Sequence, residues 1–447
     1  MDSLVKKRVH RLLTELIRAD TSNELANEIE AAEILQVFFA EYDIHTEILY
    51  SPHGRANLIA VLDGDSSTDP IVLLSHLDVV GPGEKDWVHP PFSGKVEDGV
   101  LWGRGALDTK QLTAMHAGVM VELKKQAQAN GLRQNVIFLA TADEENGSAE
   151  GMGFLVNEIP HCFKNATIFS EGGGFTSQVG AQRYMFVAAG EKGTATVKVK
   201  ANGEGGHAGA PPSDQALLHL LASLTNILQK TFNPPQYPIL SNYIEHLEAV
   251  LTKEEHTDEN EIFLFQMRDY MMFPTVTVQN VNVGNQINVI PYYAEAEIEI
   301  RVLPMTTEQE LKQQLSTVLD SKSVSWELLS FQQGYESNID SSALSELEKH
   351  SANMNYPLKV LPFTALGKTD GRFIGQLAKD IYGISPVKIP FIEVLKRVHK
   401  ENERIELDSF DYGLELLWET IVPMAQKRGD EIVVTKRESR PSNFVSE

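Results

Sequence analysis

Apolar positions near the start of the chain recur at helical spacing, with Leu4, Val5, Val9, Leu12, Leu13, Leu16 and Ile17 on one face. Residues 27–41 read as a second amphipathic helix, and residues 44–49 and 57–62 alternate like strands. Residues 71–74, Ile-Val-Leu-Leu, form a short apolar run of the kind buried on both faces of a central sheet, and the run leads into His76. Residues 109–125 are helical in pattern, with Asp108 just before them. Two more buried-strand runs follow. Residues 136–140 end at Asp143-Glu144-Glu145, and residues 167–169 end near Glu171. Strands alternating with helices predict an α/β layer architecture, a mixed central sheet flanked by helices.

Near Gly190 the pattern changes. Residues 194–200 alternate apolar and polar side chains, as a strand with one solvated face does. A helix is expected over 214–228, strands over 275–283 and 294–302, a helix over 308–319 and a strand over 324–329. That β-α-β-β-α-β order predicts a ferredoxin-like α+β domain. Residues 232–273 do not fit it and read as a helical insertion. Helix–strand alternation resumes near Glu336, so a second domain is expected inside the first: 1–190 and 336–447 for one, 191–335 for the other. The polar end RESRPSNFVSE is expected to fray.

Composition narrows the possible functions. A chain of 447 residues is too long for one ordinary core, and 42% hydrophobic with 23% charged residues suits a soluble globular protein. A net charge of −23 argues against nucleic acid and against an anionic membrane surface, while serving to keep the protein soluble. One cysteine, Cys162, leaves no intrachain disulfide and no cysteine-based zinc site. The start lacks a leader-like apolar core, and no apolar run is long enough to span a bilayer, so a cytoplasmic protein is expected.

Seven residues far apart in the chain read as parts of one two-metal hydrolytic site: His76, Asp78, Asp108, Glu144, Glu145, Glu171 and His399. Imidazole and carboxylate ligands without paired cysteines fit a catalytic rather than a structural centre. His76 and Asp78 stand two apart at a strand end, where a carboxylate can hold a ligating imidazole by its second nitrogen. The pair could equally be an ordinary strand exit. The acidic cluster repels itself unless cations or solvent offset it, and an exposed acidic turn is the alternative. In extended backbone its neighbours diverge, so that one glutamate can bind metal while the next addresses the water.

Each remaining residue also has a plain reading. Asp108 could be a helix N-cap, Glu171 a loop acid ahead of three glycines, and His399 a structural histidine. In the second domain, GEGGHAGAPP sets His207 in a loop with the wrong glycine spacing for a dinucleotide site. Asn288 precedes a strand and Arg301 lies near its end; Arg301 could clamp a substrate carboxylate or pair with Glu299 or Glu297.

Together SHLDVV, WVHPPFSG, GRGALDTK, DEE, SEGGG, GGHAGAPP, NVIP with Arg301, KTDGR and HKENE fall in a familiar order. From about residue 10 to residue 420 the chain resembles the di-zinc aminoacylase and carboxypeptidase G superfamily, which includes acetylornithine deacetylases, succinyl-diaminopimelate desuccinylases and dipeptidases. The resemblance implies a zinc-peptidase-like catalytic domain interrupted by a ferredoxin-like lid that carries a homodimer interface. It implies two divalent ions per chain, zinc with cobalt or manganese as alternatives. Asp108 would bridge them, His76 and Glu171 completing one site, Glu145 and His399 the other. Glu144 would be the general base and Asp78 would orient His76. The Asp108–Thr109 peptide would be cis. His207 would reach the partner subunit's site to stabilise the oxyanion, and Asn288 and Arg301 would hold the substrate.

Ala208-Gly209 replaces the small hydroxyl residues usual after the lid histidine, and Lys368 stands where glycine is frequent before Thr369-Asp370. Glutamate at 171 resembles aminoacylases and carboxypeptidases, whereas aspartate there goes more often with aminopeptidases and dipeptidases. The expectation is metal-dependent hydrolysis of an amide next to a free carboxylate, in an N-acyl amino acid or small peptide. A cytosolic dipeptidase or tripeptidase and an inactive metal-containing binding protein are the alternatives.

Overall fold

A computed structural model describes residues 1–84, 86–229, 237–251, 258–284, 286–319 and 322–426. The segment expected to fray, RESRPSNFVSE, lies outside these residues, as do 232–236 and 252–257 of the expected helical insertion. The chain forms two compact units, one of Met1–Ala188, Asn338–Leu361 and Gln376–Glu447, the other of Ala189–Ser337 and Pro362–Gly375.

The first unit opens with α1, Ser3–Arg18, capped by the Asp2 carboxylate, which accepts from the Leu4 amide at 2.9 Å. Its inward stripe is Val5, Val9, Leu12, Leu13, Leu16 and Ile17; Leu4, in the first turn, faces solvent instead. Helix α2 is Glu28–Ala40. Strands β1, Thr46–Tyr50, β2, Ala56–Leu62, and β3, Ile71–His76, lead to α3, Lys110–Asn130. Residues 110–123 of α3 are all buried, so this is a central helix. Even Lys110 is buried: its ammonium donates to the carbonyls of Leu16 and Ala19 at 2.8 Å, near the end of α1, where cations are favoured.

Strands β4, Val136–Thr141, β5, Thr167–Ser170, and β6, Gln182–Glu191, complete the first part. The sheet order is β1-β2-β4-β3-β5, then Asp380–Gly383, then β6. Strand β3 runs parallel to β4 and to β5, its neighbours on either side, whereas β2 is antiparallel to β1 and β4. Both faces of β3 and β4 are buried, which is why their sequences are continuous apolar runs. Strand β6, which forms a hairpin with Thr176–Val179, had no counterpart among the expected elements. Its stretch Tyr184–Ala189 is a buried apolar run of the same kind, joined by a turn at Gly180 (φ 59°) that lacks the usual Asn-Gly signal.

The second unit contains β7, Gly193–Asn202, α4, Ala216–Gln229, α5, Pro238–Leu251, α6, Glu259–Met272, β8, Thr275–Asn282, β9, Tyr293–Val302, α7, Glu308–Leu319, and β10, Val324–Gln332. The four strands pair antiparallel in the order β8-β9-β7-β10, the ferredoxin-like arrangement. Alternate residues of β7 (Ala195, Val197, Val199) and β9 (Ala296, Ile298, Ile300) face Leu220 and Leu224 of α4 and Leu311 and Leu315 of α7 in one core. Helices α5 and α6 are the described part of the insertion.

Residues 336–447 were expected to rejoin the first unit whole, yet Pro362–Gly375 groups with the second. The reason is hydrogen bonding: the Thr369 amide and hydroxyl donate to buried Glu191, and the Tyr270 hydroxyl donates to the Leu366 carbonyl.

Candidate metal centre

Three loops of the first unit leave the carboxyl ends of adjacent parallel strands, the place where open α/β sheets gather their ligands. His76 is the last residue of β3 and pairs in register with Thr141 at the end of β4. Glu144 and Glu145 follow β4, and Glu171 directly follows β5. Asp108 precedes α3, whose N-cap is Thr109, so the helix-capping alternative for Asp108 does not apply. The Asp108–Thr109 peptide is cis.

Asp108 stands at the middle. Its Oδ1 lies 3.3 Å from His76 Nε2 and its Oδ2 lies 3.0 Å from His399 Nε2. Glu171 Oε2 is 3.4 Å from His76 Nε2, and Glu145 Oε1 is 3.1 Å from His399 Nε2. Two triplets result, His76–Asp108–Glu171 and Asp108–Glu145–His399, each with its potential ligand atoms within 4.8 Å of one another.

Burial and charge oppose each other throughout the cluster. Burial pushes Glu171 up to about 7, against the pull of His76. Burial and the neighbouring Asp108 charge raise Glu145. Asp108 is also penalised by burial, but hydrogen bonds from His399 and His76 outweigh that and hold it below the usual carboxylate range. Burial disfavours a charge on His76, yet Glu171 and Asp108 raise it well above the ordinary imidazole range. Hydrogen bonds to Asp108 and Glu145 raise His399 to about 10. The field that holds protons on both imidazoles is one that divalent cations would occupy in their place. A donor set of three carboxylates and two imidazoles fits such ions.

The cluster is supported by hydrogen bonds between side chains and backbone groups. His76 Nδ1 donates to the Asp78 carbonyl at 2.9 Å, which leaves Nε2 to face Asp108 and Glu171. The Asp78 carboxylate was expected to hold His76. It lies 3.6 Å from Nδ1, an ion-pair distance, and also accepts the Glu144 and Glu145 amides, each at 3.0 Å. Those glutamates sit in a 3₁₀ turn, Glu144–Asn146, not in extended backbone. The glycines after Glu171 serve packing: a Cβ on Gly174 (φ 96°) would lie 2.3 Å from Ser385 backbone.

In the second unit His207 and Asn288 come together. The short strands Gly206–His207 and Val289–Ile290 pair, and the Asn288 amide nitrogen lies 3.2 Å from His207 Nε2. The Gly209 amide donates to His207 Nδ1 at 3.0 Å. Arg301 sits in β9 between Thr194 and Thr275. Its Nε donates to Glu299 at 2.8 Å, one of the two pairings foreseen. Its buried Nη1 has no hydrogen-bond partner among the described residues. Lys368 Nζ lies 3.7 Å from the other Glu299 oxygen.

A model of peptidase family M20/M25/M40 matches residues 72–422. The chain belongs to that family. It is therefore a hydrolase of peptide or other linear amide bonds. This M20/M25/M40 hydrolase is 25% identical to human N-fatty-acyl-amino acid synthase/hydrolase PM20D1, over 82% of its own length and 76% of the relative's. It is 28% identical to a probable succinyl-diaminopimelate desuccinylase of Staphylococcus epidermidis, over 66% of its length and 67% of that protein's. In fold it is similar to the M20 metallo-carboxypeptidase Sso-CP2 of Sulfolobus solfataricus, with a TM-score of 0.65 and 16% identity, covering 94% and 99% of the two chains. Among the described residues of the hydrolase no helix is long and apolar enough to cross a membrane.

Sequence reasoning missed the residues that hold the ligands in place. Glu403, the last residue of the HKENE motif, is fully buried and accepts the Leu107 and Asp108 amides at 2.8 and 3.2 Å. Arg104 of the GRG motif donates to Glu403 at 2.7 Å and to the Lys400 carbonyl at 3.0 Å, so it joins the Asp108 loop to the loop of His399. Both stood inside the quoted motifs, where a buried Arg–Glu pair was the signal available.

Proposed function

We propose that the chain hydrolyses an amide bond adjacent to a free carboxylate, in an N-acyl amino acid or a small peptide. The observation that carries this reading is the pair of triplets sharing Asp108, one carboxylate oxygen to each. His76, Asp108 and Glu171 would hold one divalent ion, and Asp108, Glu145 and His399 the other, with zinc the expected metal. Two such ions polarise a scissile carbonyl and make a water acidic enough to attack it at neutral pH.

Glu144 takes the proton from the attacking water and delivers it to the leaving amine. Asp78 holds the turn on which Glu144 and Glu145 stand, and its carbonyl fixes the tautomer of His76. His207, supplied by a second copy of the chain, offers a ring N–H to the oxyanion of the tetrahedral intermediate. Asn288 and Arg301 hold the substrate; Arg301 Nη1, which has no hydrogen-bond partner among the described residues, has a donor left for a carboxylate oxygen. Names among the relatives agree in kind: one acts on N-fatty-acyl amino acids, one is a desuccinylase and one a carboxypeptidase.

Arg301→Ala is expected to raise KM strongly for N-acyl amino acids, through loss of a charge-assisted contact worth about 2–5 kcal/mol when desolvated. The same substrates with an amidated carboxylate should be poor for the wild type and little changed by the substitution. Steady-state kinetics on both series decide: equal losses would make Arg301 structural and remove carboxylate recognition from the reading.

Shared active sites give a second test. His207→Ala and Glu144→Gln should each be inactive alone. Mixed under conditions of subunit exchange, they should regain part of the activity, because one site of each mixed dimer has both a working base and a working histidine. Exchange shown by differential labelling without recovered turnover would place the histidine within its own chain's reach or outside the reaction.

A further inference from the structure

The turn carrying Glu144 and Glu145 is held at two points. At one, the Asp78 carboxylate accepts both glutamate amides at 3.0 Å. At the other stands Asp143, a non-glycine residue with φ 64° that begins the turn. Asp143 Oδ2 accepts the Glu150 amide at 3.1 Å, and Asp143 Oδ1 accepts from Arg55 Nη1 at 3.3 Å.

Arg55 precedes β2 and spreads its guanidinium over three side chains. Nε donates to both Glu28 oxygens at 2.9 Å, Nη2 to Asn23 Oδ1 at 2.8 Å and also to Glu28, and Nη1 to Asp143. Arg55 is 8% exposed, Asp143 3% and Glu28 fully buried, so each charge depends on the others. Two residues along β2, Asn57 accepts the Ala142 amide at 2.8 Å and donates to the Glu150 carbonyl at 3.1 Å. The mouth of β2 thus grips the loop on both sides of the paired glutamates.

We propose that Arg55, itself held by Glu28, is a positioning residue for the Asp108–Glu145–His399 half of the centre, acting through Asp143. The inference rests on the two-metal reading above. Its selectivity follows from connectivity: the His76–Asp108–Glu171 triplet contains no residue of the turn, whereas the other triplet takes Glu145 from it. A general stabilising role would affect both halves alike. Lysine at 55 would keep the charge, but a single ammonium lacks the planar fork that spans Glu28, Asn23 and Asp143.

Cobalt(II), followed by its visible absorption, is the probe. The wild type should take up two equivalents. Arg55→Lys should bind the first as tightly as the wild type and the second about 10–100-fold more weakly, the usual cost of losing a support behind a ligand. Asp143→Asn, which can still accept the Glu150 amide, should show the same selective loss if the lysine variant folds poorly. Equal weakening of both equivalents, or two wild-type equivalents in both variants, would overturn the inference. No uptake by the wild type would sink the two-metal reading, and the inference with it.

Discussion

Glu144→Gln is expected to retain the fold and both metal ions while losing about 10²–10⁴ of kcat, the usual contribution of a general base. The substitution removes the proton acceptor while keeping the size and polarity of the side chain. Glu144 is in neither ligand triplet, and the contact that holds its place in the turn is made by its main-chain amide to Asp78. Consecutive residues of a 3₁₀ turn point about 120° apart, so Glu145 can face His399 while Glu144 projects elsewhere. Turnover and metal content measured on one preparation separate the outcomes. A rate near that of the wild type would put the base at another residue.

Metal removal should have the other large effect. The protein as purified is expected to contain about two divalent ions per chain, the number implied by two triplets. Dialysis against a chelator should abolish hydrolysis, and zinc should restore it. Elemental analysis beside the activity assay is the measurement. Full activity at a stoichiometry near zero would remove the mechanism.

What the sequence disclosed depended on how each group meets its surroundings. Residues 71–74, 136–140 and 167–169 were legible as strands because burial on both faces leaves an unbroken apolar run. The ferredoxin-like order was legible because one face of its sheet is covered and the other more exposed, so its strands alternate. His399, one of 13 histidines, carried no signal alone and became a candidate only through the joint set of motifs. The direction of a polar side chain was much harder to read. Nothing local says that the Asp78 carboxylate takes two amides from another loop besides standing 3.6 Å from the imidazole two residues away. Likewise Arg55 meets Asp143 across 88 positions, by a contact that periodicity does not record.

The return of Pro362–Gly375 to the second unit makes the chain pass between the two units four times, at 188/189, 337/338, 361/362 and 375/376. The inserted unit is consequently not a cassette. Transplanting residues 189–337 alone into a relative would leave the buried Glu191 carboxylate without the Thr369 amide and hydroxyl that satisfy it. A chimera that exchanges this unit must carry two segments together.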